Sequence, residues 1–180
     1  MRMIETRNDL PEKTRKQMVG LLNKSLAATI DLYTHAKQAH WNVRGVHFMA
    51  LHELFDKVSL DTLPWIDDIA ERAGQLGGEV SGTLRQTAKS TSLREYPLGI
   101  AEDRKHAMAL ADSLGEYAKL VRSAIDQADD AGDADTADLF TQISREVDKM
   151  LWFVESHVVT IGSSGSSSAA SPRKRAGKRR

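Results

Sequence analysis

The chain has 180 residues, enough for one domain with a proper core, and is 41% hydrophobic but only 6% aromatic. It has no cysteine, which excludes disulfides, thiolate metal sites and cysteine nucleophiles. Its formal charge of zero hides a split. Six of the 25 basic residues lie in 173–180, leaving 19 against 25 acidic ones, a net of −6 over residues 1–172. An acidic body with a basic arm is a pattern suited to meeting a polyanion.

Residues 1–10 read as a short, flexible N-terminal arm with no apolar signal region. No stretch is long enough to span a membrane, so the expectation is a cytoplasmic protein. Residues 11–161 read as an all-α bundle of four long helices. Pro11 suits the first turn of a helix, where its missing N–H costs nothing. That helix runs to about His40 on a buried stripe of Leu22, Leu26, Tyr33 and Ala36, and residues 41–45 form a turn closed by Gly45.

The second helix covers about residues 46–76. Pro64 bends it, a break at Leu63 being the rival reading, and Gly77-Gly78 ends it. Residues 79–99 form a long Ser/Thr/Gly-rich crossover with room for one short helix. The third helix spans about 100–128 with Met108, Leu114, Tyr117, Val121 and Ile125 inward. The fourth is capped by Asp135 or Thr136 and runs to about Thr160 on Leu139, Ile143, Val147, Met150, Leu151 and Val154. Residues 162–180 are Gly/Ser-rich and then basic, a composition expected to be disordered in isolation. GSSGSSS resembles an expression linker; the basic end does not look like a standard tag.

The second helix carries four potential metal ligands, His52, Asp56, Asp67 and Glu71. At 100° per residue they fall at roughly 0°, 40°, 60° and 100°, one stripe. His52 and Asp67 are nevertheless roughly 22 Å apart along the axis, beyond the reach of one ion. His52 and Glu71 are equidistant from a point between Asp61 and Thr62, and so are Asp56 and Asp67. Two antiparallel copies of the helix would therefore bring His52 and Asp56 of one beside Asp67 and Glu71 of the other. The expectation is a metal site shared between subunits, with His40 as a fifth ligand. Histidine with carboxylate suits Fe(II), Mn(II) or Zn(II). The competing reading is a pair of solvated i,i+4 motifs. His52-Glu53-Leu54-Phe55-Asp56 misses the zinc-protease pattern H-E-x-x-H at its second histidine. His35, His47, His106 and His157 are read as surface or packing residues.

The runs AKQAHWNVRGVHF (36–48), LHELFD (51–56), DDIAERAGQLGG (67–78), SLREYPL (92–98), DTADLF (135–140) and SREVDKMLWFVESH (144–157) resemble the Dps family, the DNA-binding proteins from starved cells or miniferritins. The similarity covers about residues 15–160. It implies a ferritin-like four-helix bundle with a long crossover, assembled as a hollow homododecamer. It also implies a ferroxidase site at each two-fold interface, with His40, His52 and Asp56 from one subunit and Asp67 and Glu71 from the other. Such an enzyme oxidises Fe(II), preferably with hydrogen peroxide, stores ferric mineral in its cavity and protects DNA from oxidative damage. The resemblance gives Trp41 a place close to the iron, where it could absorb one-electron oxidation or simply pack at the interface. It gives Asp130, Asp135 and Asp138 a place lining an iron-entry pore. No glutamate here has a histidine three residues later, so the intra-subunit Glu-x-x-His site of other di-iron bundles is absent. Pro64 departs from the family pattern. Arg173, Lys174, Arg175, Lys178, Arg179 and Arg180 make the tail the expected DNA contact, non-specific and nucleoid-associated. The alternative function is a DNA-condensing protein with iron oxidation secondary.

Overall fold

A computed structural model describes residues 2–159. It contains α1 (Glu12–Asn42), α2 (Phe48–Gln75), α3 (Leu84–Ser90), α4 (Asp103–Asp130) and α5 (Ala134–Glu155). α1 packs along α2, α4 along α5, and α1 along α4; the short α3 lies against α1. This is the expected ferritin-like four-helix bundle, with residues 76–102 as the crossover that carries α3.

Apolar residues recurring every three or four positions turn one face of each long helix inward. Leu22, Leu26, Leu32, Phe55, Ile69, Leu114, Tyr117, Phe140 and Val147 are all buried. The stripe of α1 runs through Leu32; its neighbour Tyr33, expected inside, lies 100° away and is half-buried. Met108, also expected inside, is 51% exposed. It lies near the start of α4, where it lines an open groove with Pro97 and Ile100 of the crossover.

α2 runs unbroken through Pro64, so the break at Leu63 does not occur. Proline removes the bond to the carbonyl of Leu60, but Leu60 and Pro64 both lie on the exposed side, where water can take that carbonyl.

Three helix ends differ from the sequence expectation, one of them being the C-terminal end of α5, which stops at Glu155 instead of running to about Thr160. α1 continues through Trp41 and Asn42, so the turn is residues 43–47. The cap of α5 is Asp133, not Asp135 or Thr136: its carboxylate accepts from the Thr136 N–H at 3.1 Å and the Thr136 hydroxyl at 2.6 Å. Asp133 is chosen because it also accepts from Arg72 of α2 at 2.6 Å, and it is buried beneath that half-buried guanidinium where α2 ends and α5 begins.

The N-terminal arm is fastened rather than loose. Ile4 N–H donates to Gly77 O at 2.7 Å and Glu79 N–H to Arg2 O at 3.1 Å. The last carbonyls of α2 accept from the N–H groups of residues 76–78, and just past the helix the arm and Arg15 supply partners for the carbonyls of Gly77 and Leu76. Gly77 has φ +81°, and a Cβ there would sit 2.6 Å from Ile4 O, so this position needs glycine.

Candidate metal centre

The turn between α1 and α2 is short, so the last turns of α1 lie beside the first turns of α2. Its seat is fixed by the end of the crossover and the start of α4: Arg44 N–H donates to Ala101 O, Asp103 N–H to Arg44 O, and His47 N–H to the Asp103 carboxylate at 3.0 Å. Gly45, at φ +145°, leaves room for that carboxylate.

His40 and His52 meet across this junction in a reciprocal clasp. His40 Nδ1 lies 2.8 Å from His52 O, and His52 Nδ1 lies 3.0 Å from His40 O. The rings stack with centroids 3.8 Å apart. A carbonyl can only accept, so each Nδ1 carries the hydrogen and the lone pair of each neutral ring sits on Nε2. Neither Nε2 has a hydrogen-bond partner among the described residues. A histidine held through one ring nitrogen with the other left open is oriented as a metal ligand is. The carbonyl of His40 is one of the orphans at the end of α1, and the clasp satisfies it.

Asp56 lies one turn beyond His52, its carboxylate 3.9 Å from His40 Nδ1 and 2.6 Å from Lys37 Nζ. The hydrogen bond from Lys37, with the charge of that ammonium, holds the Asp56 carboxyl below the usual carboxylate range against an opposing effect of burial. His40, His52 and Asp56, with Met49, Glu53 and Lys57, line an open depression of about 510 Å³.

Asp67 and Glu71 are not part of this depression. They are exposed on the same helix, with Asp67 roughly 16 Å beyond Asp56. Among the described residues no three His, Asp or Glu side chains converge within one chain closely enough to hold a metal ion. Between and beside the two groups the surface carries apolar side chains among charged ones: Trp41, Met49, Leu60 and Leu63 are 43–61% exposed.

Lys37 was not anticipated from the sequence. It lies three residues before His40 and four before Trp41, hence on their face of α1, and its ammonium sits 5.7 Å from the centre of the Trp41 ring. That spacing was the available signal. Arg72 was missed for a different reason, since its partner Asp133 is 61 residues away.

Residues 19–163 match the family model of the ferritin-like domain. Over 158 residues, 88% of this chain and 98% of the other, the sequence is 46% identical to the DNA protection during starvation protein of Agrobacterium fabrum. The chain belongs to the Dps family of ferritin-like proteins. Solved structures agree. DpsC from Streptomyces coelicolor superposes with a TM-score of 0.84 at 31% identity, covering 89% of this chain and 94% of that one. Mycobacterium smegmatis Dps gives 0.84 at 28% identity, covering 88% and 97%.

Of the carboxylates that the Dps resemblance assigns to a pore, Asp135 and Asp138 share an open groove with Asp68, Glu71 and Arg72. Asp135 is 82% exposed and lies 3.4 Å from Arg72. Asp130 is exposed at the end of α4, outside that groove. His35 and His106 are buried, while His47 and His157 are exposed. The basic tail residues Arg173, Lys174, Arg175, Lys178, Arg179 and Arg180 lie outside the described residues. No described helix is long and apolar enough to cross a membrane.

Proposed function

We propose that the protein is a ferroxidase and iron store. It oxidises Fe(II), preferably with hydrogen peroxide, holds the ferric product as mineral inside a hollow dodecamer, and so protects DNA in the cytoplasm. Its basic tail binds DNA without sequence preference and associates it with the nucleoid. The observation that carries the iron reading is the clasp: two histidines with their Nε2 lone pairs open, beside an ionised Asp56. The set is incomplete in one chain, and the missing carboxylates stand on an exposed, partly apolar face of the same helix. Pairing of α2 with its copy about a two-fold axis would complete it twice over. The name of the Agrobacterium fabrum relative supports the role in DNA protection.

Fe(II) enters as substrate. The imidazoles hold it while Asp56, with Asp67 and Glu71 of the neighbouring subunit, favours Fe(III) through negative charge and so eases electron loss. Iron must displace Lys37 from Asp56, and the ammonium keeps that carboxylate ionised until then. The test is anaerobic loading with Fe(II) followed by either oxidant, with the ferric absorbance recorded. Peroxide should oxidise the bound iron far faster than oxygen; equal rates would refute the preference.

Iron reaches the site past Asp135 and Asp138, whose groove also holds Glu71. Replacing both aspartates with Asn should lengthen the delay before mineral growth in stopped-flow traces and leave the oxidation step at its wild-type rate. Unaltered uptake would reduce these carboxylates to surface charge. Asp133 is left intact in this variant because it caps α5.

A further inference from the structure

Tyr96, in the crossover, donates its hydroxyl to His106 Nδ1 at 2.9 Å. The other ring nitrogen, Nε2, lies 3.0 Å from Ile100 O. That carbonyl only accepts, so Nε2 carries the hydrogen and Nδ1 is the free base that receives the tyrosine O–H. Both side chains are buried, at 5% and 1% exposure. Burial holds His106 below its usual range, which favours the neutral ring that the hydrogen bonds describe. Burial also pushes the Tyr96 phenol up, so it does not ionise beforehand.

Tyr96 lines a groove of about 330 Å³ together with His35, Lys37, Gln38 and Trp41. The His35 ring lies 5.2 Å from that of Tyr96. Trp41 is 61% exposed and follows His40 directly. The other tyrosines lack this arrangement among the described residues: the Tyr117 hydroxyl meets that of Thr29 while its ring stacks on Trp65, and Tyr33, which lines the same groove, has no hydrogen-bonded base.

We propose that Tyr96 is a redox-active residue that lends an electron to peroxide reduction, through Trp41, with His106 as its proton acceptor. The proposal rests on the ferroxidase reading above. When a single Fe(II) meets hydrogen peroxide, iron supplies one electron and the O–O bond needs two. Trp41 gives the second and is refilled from Tyr96, whose proton passes to His106 Nδ1. Fe(II), peroxide, the Tyr96 phenol, neutral His106 and two protons become Fe(III), two waters, a Tyr96 phenoxyl radical and a His106 imidazolium. A second Fe(II) then reduces the phenoxyl, the proton returns from His106, and a second Fe(III) results. The site thereby completes a two-electron reduction with irons that arrive one at a time, and no hydroxyl radical escapes.

Two arms test this on the full chain. In a Trp152→Phe background, which removes the other exposed indole, azidyl radicals from pulse radiolysis oxidise Trp41 without iron. The indole radical absorbance should convert to that of a phenoxyl radical. Tyr96→Phe should leave the indole radical to persist. A positioned general base contributes about a hundredfold, so His106→Asn, which keeps an acceptor but no base, should slow the conversion by about that factor. Conversion that survives Tyr96→Phe, or is indifferent to His106→Asn, overturns the proposal. In the second arm, Fe(II)-loaded protein is mixed with peroxide and frozen within milliseconds. Electron paramagnetic resonance should show a phenoxyl signal in wild type and none in Tyr96→Phe, each variant being checked for assembly by light scattering. Rapid iron oxidation with no phenoxyl in wild type overturns the proposal. Absence of iron oxidation strikes the ferroxidase reading and with it the role in peroxide reduction, while the azidyl arm still decides the relay from Trp41 to Tyr96.

Discussion

Protein carrying His52→Ala with Asp56→Ala, and protein carrying Asp67→Ala with Glu71→Ala, should each be nearly inactive in Fe(II) oxidation, yet recover activity when unfolded together and refolded. Each variant alone lacks part of the ligand set at every interface. In a mixed pair, one of the two sites has lost all four side chains. The other draws His52 and Asp56 from the second variant and Asp67 and Glu71 from the first, and is wild type. With random pairing, half the pairs are mixed and half their sites are intact, so about a quarter of the activity returns. A site built within one chain cannot be rescued in this way. The two ligand groups lie roughly 16 Å apart on a helix that stays continuous through Pro64, so nothing within one subunit brings them together. Size-exclusion chromatography must show the assembly re-formed. Inactive but fully assembled mixtures would refute antiparallel pairing of α2.

Much of this was legible because helices announce themselves by period. The four long helices follow from apolar residues at three- and four-residue spacing, and the stripe of His52, Asp56, Asp67 and Glu71 follows from the same geometry. What the period does not carry is what happens at helix ends, where partners come from distant parts of the chain. Trp41 and Asn42 looked like a turn, but the turn is instead seated by Arg44 and Asp103, 59 residues apart in sequence. The arm looked loose because its own residues offer no motif; the backbone just past the end of α2, with a left-handed Gly77, holds it. Among the aspartates of residues 129–138, Asp133 becomes the cap because Arg72 neutralises it there. The clasp of His40 and His52 depends on two helices lying side by side with the right rotation, so residue identities alone suggested candidate ligands and not the tautomers.

The fastened arm bears on the second large effect, the loss of DNA binding on removing residues 162–180. Residues 1–172 carry a net charge of −6, which repels a polyanion on average. Arg2 and Arg7 are exposed, but their segment runs against the end of α2. The terminal eight residues place six cations with no acid among them, after a Gly/Ser-rich stretch. Each phosphate neutralised contributes about −0.9 to the slope of log affinity against log salt, so one fully engaged tail gives a slope of about −5. Several tails on one assembly raise the overall affinity further by effective concentration. A gel-shift assay at low salt should therefore show tight binding by the full chain, lost steeply as salt rises, and none by the truncated protein. Fe(II) oxidation and assembly should be untouched, since the clasp, Asp56, Asp67 and Glu71 all lie before residue 162. Undiminished binding by the truncated protein would move the contact to Arg2 and Arg7 or to the bundle surface, and the acidic body would then need a local basic patch that outweighs its net charge.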